Sequence, residues 1–214
     1  MLKLYDVIDS PSQLYLVMEF LDGENLSVHL KRTALTKQKA SDNSLCEVRG
    51  DCVSESIACS VVRQLFEALA YMHSKLICHR DVKLENLIYN KLNGSLKLVD
   101  FGFATSCKEK HRMGCGTPSY MAPELVAKRE YNGAETDMWA AGVCLYTILT
   151  GYLPFRGSNE KDLYRKIQIG KFAPAINAKN APLSEEARDL ISKLLCIEAN
   201  ARISAKDALQ HPWF

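Results

Sequence analysis

The sequence predicts an α+β fold with a mainly helical major part, and two observations carry that prediction. Short β-branched and aromatic runs cluster ahead of residue 100, whereas apolar residues recur at helical spacing from Pro123 to the last residue. The 214 residues suit one large domain or two small ones. A composition of 47% hydrophobic and 24% charged residues is that of an ordinary soluble globular chain, far from disordered or collagen-like extremes.

The runs "KLYDVI" and "QLYLVMEF" are separated by "DSPSQ", a turn composition, and predict a hairpin of two strands. From Ser54, "SESIACSVVRQLFEALAYMHS" spaces Ile57, Val61, Leu65, Leu69 and Met72 by three or four residues, the pattern of an amphipathic helix with Ser54 as its N-cap. The polar stretch between, residues 31–54, has no sustained period and is expected to be a mobile surface insertion of loop character. The strands "LIYN" and "LKLVD" follow, joined by "KLNG", whose Asn93-Gly94 pair is expected to supply the positive φ of a tight hairpin. That hairpin would hold Asn86, just before it, and Asp100, at its end, at the mouth of one cleft. The chain then reads as loop to Pro123. Helices are expected in "TDMWAAGVCLYTILTG", "NEKDLYRKIQIG", "LSEEARDLISKLLC" and "SAKDALQ", with Thr136, Ser184 and Ser204 as caps and Gly151 and Gly170 as stops.

Several functions are excluded on physical grounds. A formal charge of +2 creates no field that would recruit nucleic acid or an anionic membrane. The run Met138 to Phe155 is uncharged, but Gly151 and Pro154 end its helical part too early for a bilayer about 30 Å thick, so it predicts a buried core helix. The first residues lack the pattern of a secretory signal. The eight cysteines include no C-x-x-C pair, which points to reduced thiols and an intracellular setting, cytoplasmic first, with the nucleus open.

Four motifs appear in order: "HRDVKLEN" (79–86), "DFGFA" (100–104), "GTPSYMAPE" (116–124) and "DMWAAGV" (137–143). Together they resemble the eukaryotic protein kinase catalytic domain, over essentially the whole chain apart from the insertion. The resemblance implies ATP-dependent phosphoryl transfer to hydroxyls of protein substrates, with Mg²⁺, on a kinase-like fold. Residues 1–24 would be a remnant of the β-rich small lobe and hinge, and residues 25–214 the helical large lobe. Lys83 and Thr117 match the serine/threonine branch, and the bulky Phe103 after the DFG glycine goes with serine acceptors. "SEEARDLISKLL" and "HPWF" are closest in texture to the calcium/calmodulin-dependent and energy-sensor kinase group, although "EAN" at 198–200 lacks the proline common there.

By that resemblance, Asp81 accepts the proton of the substrate hydroxyl, Lys83 neutralises charge on the transferred phosphate, and Asn86 and Asp100 are the Mg²⁺ ligands. His79, Phe101 and Gly102 complete the His-Arg-Asp and Asp-Phe-Gly motifs. Arg80 would meet an activation-loop phosphate, yet the usual acceptor position holds Met113. Glu124 and Arg202 look like a buried ion pair, and Asp137 would cap backbone amides of the catalytic loop. Glu24 and Glu85 resemble acids that meet a basic residue upstream of the acceptor.

For ATP itself, Met18 would be the gatekeeper, Glu19 and Leu21 would offer hinge backbone to adenine, Glu24 would meet the ribose, and Ile88 would floor the pocket. The Gly-rich loop, the strand lysine and its helix glutamate do not occur within these 214 residues, so this stretch alone is expected to be weakly active or inactive. A truncated, non-catalytic relative acting as a protein-binding scaffold is the alternative, and the intact Asp81, Lys83, Asn86 and Asp100 speak against it.

Overall fold

A computed structural model describes residues 2–31, 53–173, 175 and 182–214. The chain opens with the expected antiparallel hairpin, β1 (Leu4–Asp9) and β2 (Leu14–Met18), in a register pairing Val7 with Leu16. Every residue of both strands is exposed. A two-stranded ribbon with no covered face has no core of its own. It is fastened to the rest by Lys97, whose Nζ lies 3.1 Å from a Glu19 carboxylate oxygen. The strand β3 (Glu24–Asn25) follows and leads directly into helical residues 26–31 (α1), so Lys31, expected in the loop, is helical. The rest of the expected insertion, apart from Val53 and Ser54, lies outside the described residues.

Helix α2 (Glu55–Ser74) is capped by Ser54, whose side chain accepts from the Ile57 amide. Its buried face is Ala58, Val61, Val62, Leu65, Phe66, Leu69 and Met72. Ile57, expected on that face, is 47% exposed, because the stripe starts one position later at Ala58. After β4 (Ile77–Cys78), the strands β5 (Leu87–Asn90) and β6 (Ser95–Leu98) form the second expected hairpin. Its turn differs from the expected tight one. Four residues connect the strands, the Gly94 amide donates to the Asn90 carbonyl at 2.9 Å, and only Gly94 has positive φ, at 69°. Asn90 does the rest, its Oδ1 accepting from the Leu92 amide at 2.8 Å.

β3 pairs with β5, which makes a three-stranded sheet in the order β3-β5-β6. Gly23 is required just before β3: a Cβ there would sit 2.7 Å from the Tyr89 carbonyl oxygen. β6 stops at Leu98, two residues short of Asp100. The expected loop from Asp100 to Pro123 contains β7 (Thr105–Ser106), paired with β4, and a 3-10 turn at Pro118–Tyr120. Helices α3 (Pro123–Val126), α4 (Gly133–Thr150), α5 (Glu160–Ile169), α6 (Glu185–Leu194) and α7 (Ala205–Ala208) complete the chain.

The uncharged run forms most of α4, which is buried nearly throughout and ends at Gly151 in the left-handed conformation, φ 78°. No described helix is long and apolar enough to cross a membrane. The cap of α4 is Asn132, accepting from the Ala134 amide at 3.0 Å, and not Thr136, which lies a turn inside and donates to the Gly133 carbonyl. Asn159, Ser184 and Ser204 cap α5, α6 and α7. One carboxylate links three elements: Glu55 accepts from the Ser184 amide at 2.9 Å, the Ser184 hydroxyl at 2.6 Å and the Trp213 indole at 3.3 Å. Burial pushes its pKa up, but these donors outweigh burial and hold it below the usual carboxylate range.

The other cross-tie is ionic. Arg202 makes a two-pronged pair with Glu124, at 2.9 and 3.2 Å, and donates to the carbonyls of Glu135 at 2.6 Å and Cys196 at 3.0 Å, while its guanidinium lies 5.1 Å from the Trp139 ring centroid. Trp139 in turn stacks on Phe155. Removing one partner strands a buried charge. Arg202→Ala is therefore expected to lower unfolding free energy by about 3–5 kcal/mol in urea titration, and the double change Arg202→Met with Glu124→Leu to recover most of it.

Candidate active site

The sequence-predicted residues come together where the loop between β4 and β5 passes beneath the segment after β7. Asp81 is 5% exposed and accepts hydrogen bonds on both oxygens. Oδ2 receives Lys83 Nζ at 2.6 Å and Asn86 Nδ2 at 3.1 Å; Oδ1 receives the Thr117 hydroxyl at 3.2 Å. Lys83 also donates to the Thr117 hydroxyl at 3.1 Å, so Lys83, Thr117 and Asp81 close a ring of polar contacts. Thr117 can approach because Gly116 precedes it: its φ is 100°, and a Cβ there would lie 2.9 Å from the Arg80 carbonyl oxygen. His79 braces the loop from inside. Its Nδ1 accepts from the Asp81 amide at 3.3 Å and its Nε2 faces the Val99 carbonyl at 3.0 Å, a pair of contacts satisfied when the ring proton is on Nε2. Phe101 packs edge-on against the same ring, centroids 5.1 Å apart.

The backbone beneath is strained and held. Arg80 has φ 65°, a left-handed conformation that costs a non-glycine residue about 1–3 kcal/mol. Asp137, 1% exposed on α4, supplies the compensation: Oδ2 accepts from the His79 amide at 2.8 Å and Oδ1 from the Arg80 amide at 2.7 Å. His73, in the last turn of α2, lies 3.0 Å from the same carboxylate. Gly133 gives this region room, since a Cβ there would collide with the Cys78 sulfur. Neither His73 nor Gly133 was identifiable from sequence as part of the site, because their partners lie on elements distant along the chain; Gly116 opens the 116–124 motif, but its close approach to Arg80 was not legible there.

Asp100 also has positive φ, 62°, and turns away from strand geometry just after the Val99 amide bonds the Asn86 carbonyl at 3.0 Å. Its carboxylate is exposed, with a long contact from the Gly102 amide at 3.3 Å. Asn86 directs its NH₂ to the Asp81 carbonyl at 2.9 Å and to the Asp81 carboxylate, which leaves its amide oxygen as the atom to offer a cation. One carboxylate and one amide oxygen, from the two base ends of a hairpin, suit Mg²⁺, which keeps its remaining positions for phosphate oxygens and water. Among the described residues no group of three or more His, Cys, Asp or Glu side chains is placed to hold a metal ion.

The residues expected around a nucleotide are less gathered. Met18 is exposed, Leu21 and Ile88 are half-buried, and the Glu19 amide is already donating to the Lys3 carbonyl at 3.0 Å. The Lys3 amide on the Glu19 carboxylate, with Lys97 beside it, holds that acid below its usual pKa. Glu24 lies 3.0 Å from His29 Nδ1 instead of standing open, and Glu85 is exposed. Arg80 directs Nε to the Phe103 carbonyl at 2.8 Å. At the position where a phosphate would be expected, Met113 is 84% exposed, and its carbonyl is held by the Tyr131 hydroxyl at 2.7 Å. Tyr131 and His111 also exchange backbone hydrogen bonds at 2.8 and 3.0 Å, so neutral contacts tie this segment down.

A model of the protein kinase domain matches residues 1–214. The chain belongs to the protein kinase family. Among curated kinases, a probable serine/threonine-protein kinase, HSL1 of Saccharomyces cerevisiae, is 38% identical over 213 residues, which cover 99% of this chain and 13% of that protein. CBL-interacting protein kinase 5 of Oryza sativa subsp. japonica is 36% identical over 99% of this chain and 42% of its own length. Calcium-dependent protein kinase 5 of Plasmodium falciparum is 35% identical over all of this chain and 35% of its own. The chain thus spans less than half the length of these relatives.

Two outcomes follow for this kinase domain. Asp137→Ala leaves the His79 and Arg80 amides without acceptors and is expected to lower stability by about 2–4 kcal/mol in denaturant. Burial and the nearby Asp137 charge push the Cys78 thiol up to about 12. The unfolded thiol ionises near 9, so between the two values the unfolded chain binds fewer protons and stability falls as pH rises. At pH 8, native-state alkylation read by mass spectrometry is expected to spare Cys78 and the still more deeply buried Cys144, while modifying Cys196.

Proposed function

We propose that this chain is the greater part of a protein serine/threonine kinase catalytic domain, one that moves a phosphoryl group from ATP to a serine or threonine hydroxyl of a protein substrate. The observation that carries the reading is the hydrogen-bonded set Asp81, Lys83, Asn86 and Thr117, with Asp100 across the β5-β6 hairpin. ATP with Mg²⁺ supplies the electrophilic phosphoryl group. Asp81 Oδ1 carries one hydrogen bond against two on Oδ2, so Oδ1 is the oxygen assigned to take the substrate proton. Lys83 stands beside that carboxylate and neutralises charge as the acceptor oxygen attacks. Asn86 and Asp100 would hold the metal, and Thr117 couples the segment that would receive the substrate to the base itself. Glu85, exposed beside this set, is assigned to a basic residue of the substrate.

The hinge contacts to adenine are assigned to the Glu19 carbonyl and Leu21 backbone, with Met18 and Ile88 as apolar walls. With neither a Gly-rich loop nor a strand lysine among these residues, the isolated stretch is expected to turn over weakly or not at all. The test is a thermal shift of the native protein with Mg-ATP, paired with phosphopeptide detection. A shift is expected that disappears in Asp100→Ala, and Asp81→Asn is expected to keep the shift while losing about 10²- to 10⁴-fold in turnover. A native protein that shows no shift overturns the reading and moves the protein-binding scaffold into its place.

A further inference from the structure

Next to the proposed base lies a groove of about 510 Å³. Thr117, which donates to Asp81, lines it, so a chain laid in the groove runs past the reacting centre. Its walls come from four regions: α1, the catalytic loop, the segment carrying Thr117 and Tyr120, and the end of α4 with the turn after it. Leu30, Leu84, Tyr152 and Leu153 make it apolar enough to take side chains, and its charges are few. Glu85 is the single carboxylate; Lys31 and Arg156 are the cations. Neither cation has an ion-pair partner among the described residues. Arg156 is also positioned in advance: its guanidinium sits 4.5 Å from the Tyr152 ring centroid, and its carbonyl is held by Lys166 Nζ at 2.8 Å. A guanidinium stacked in this way loses less freedom on meeting an anion than a free one would.

The sequence alone suggested a different balance, with Glu24 and Glu85 both set to receive basic residues. Glu24 is engaged by His29 and does not line the groove, which therefore carries two cations against one acid. We infer that the groove reads an anionic side chain of the substrate through Arg156 and Lys31, in addition to any basic residue met by Glu85. The inference rests on the kinase reading for the identity of the occupant, a substrate segment. The shared chemistry is a negative side chain, and a carboxylate and a phosphoserine are its two sources.

The test uses the native protein and peptides with one acceptor serine, in which each flanking position in turn carries glutamate, phosphoserine or neutral glutamine. Turnover is measured with Mg-ATP, and binding separately by fluorescence anisotropy. At one or more positions an anion is expected to raise kcat/KM by about three- to fivefold over glutamine. The ratio is expected to fall to near one in Arg156→Ala and to invert in the double variant Lys31→Glu, Arg156→Glu. Arg188→Glu, an exposed change on α6, is expected to keep it. Phosphoserine above glutamate identifies a phosphate reader; the reverse order identifies a carboxylate reader. Turnover with no anion preference at any position overturns the inference and leaves the kinase reading standing. Anion-selective binding without turnover of any peptide upholds the groove and overturns the kinase reading. Absence of both binding and turnover overturns the two together.

Discussion

The carboxylate of Asp137 is the constraint on which the arrangement of the site depends. It projects from a helix buried nearly throughout its length and accepts the amides of two consecutive residues, one of them in a conformation that side chains avoid. Without that acceptor the loop carrying Asp81, Lys83 and Asn86 would relax toward ordinary backbone geometry. The helix therefore does more than fill the core. Its position, set by packing against α2 and α6, becomes the position of the proposed base.

Rigidity is distributed unevenly around this point. The helical body is tied by polar groups that each serve several partners: Glu55 joins α2 to the cap of α6 and to Trp213, and Arg202 joins α3, the start of α4 and the turn after α6. The β1-β2 ribbon has no such framework. Its apolar side chains, Phe20 after it included at 90% exposure, stand open, and the Lys97 to Glu19 contact is partly exposed. Local stability follows buried contact, and among the described residues that contact gathers around the catalytic loop and not around the ribbon.

The segment between Asp100 and Pro123 is held by side chains from outside it and by pairing with a neighbouring strand. Arg80, Tyr131 and His111 distribute hydrogen bonds along it, the one from Arg80 charge-assisted, and β7 pairs with the strand that leads into the catalytic loop. Thr117 then sits against Asp81 through contacts a glycine makes possible. The groove, the 101–122 segment and the proposed base thus meet at Thr117, which lines the groove and donates to Asp81.

The local rules of the chain account for much of this. Turn composition and apolar spacing were enough for the β1-β2 and β5-β6 hairpins, for α2 and its Ser54 cap, and for the buried helix that resembles a membrane span, because each depends on neighbours a few residues away. The order and spacing of four motifs carried the resemblance to the protein kinase family. Tertiary structure decided the rest. The cap of α4 moved from Thr136 to Asn132, Ile57 turned outward, and Glu24 found His29, outcomes that depend on which surfaces meet. So do the glycines at 23, 116 and 133, whose need is a close approach by residues far along the chain, whereas the acceptor role of Asp137, whose donors lie more than fifty positions away, was implied by the family resemblance and not by any local pattern.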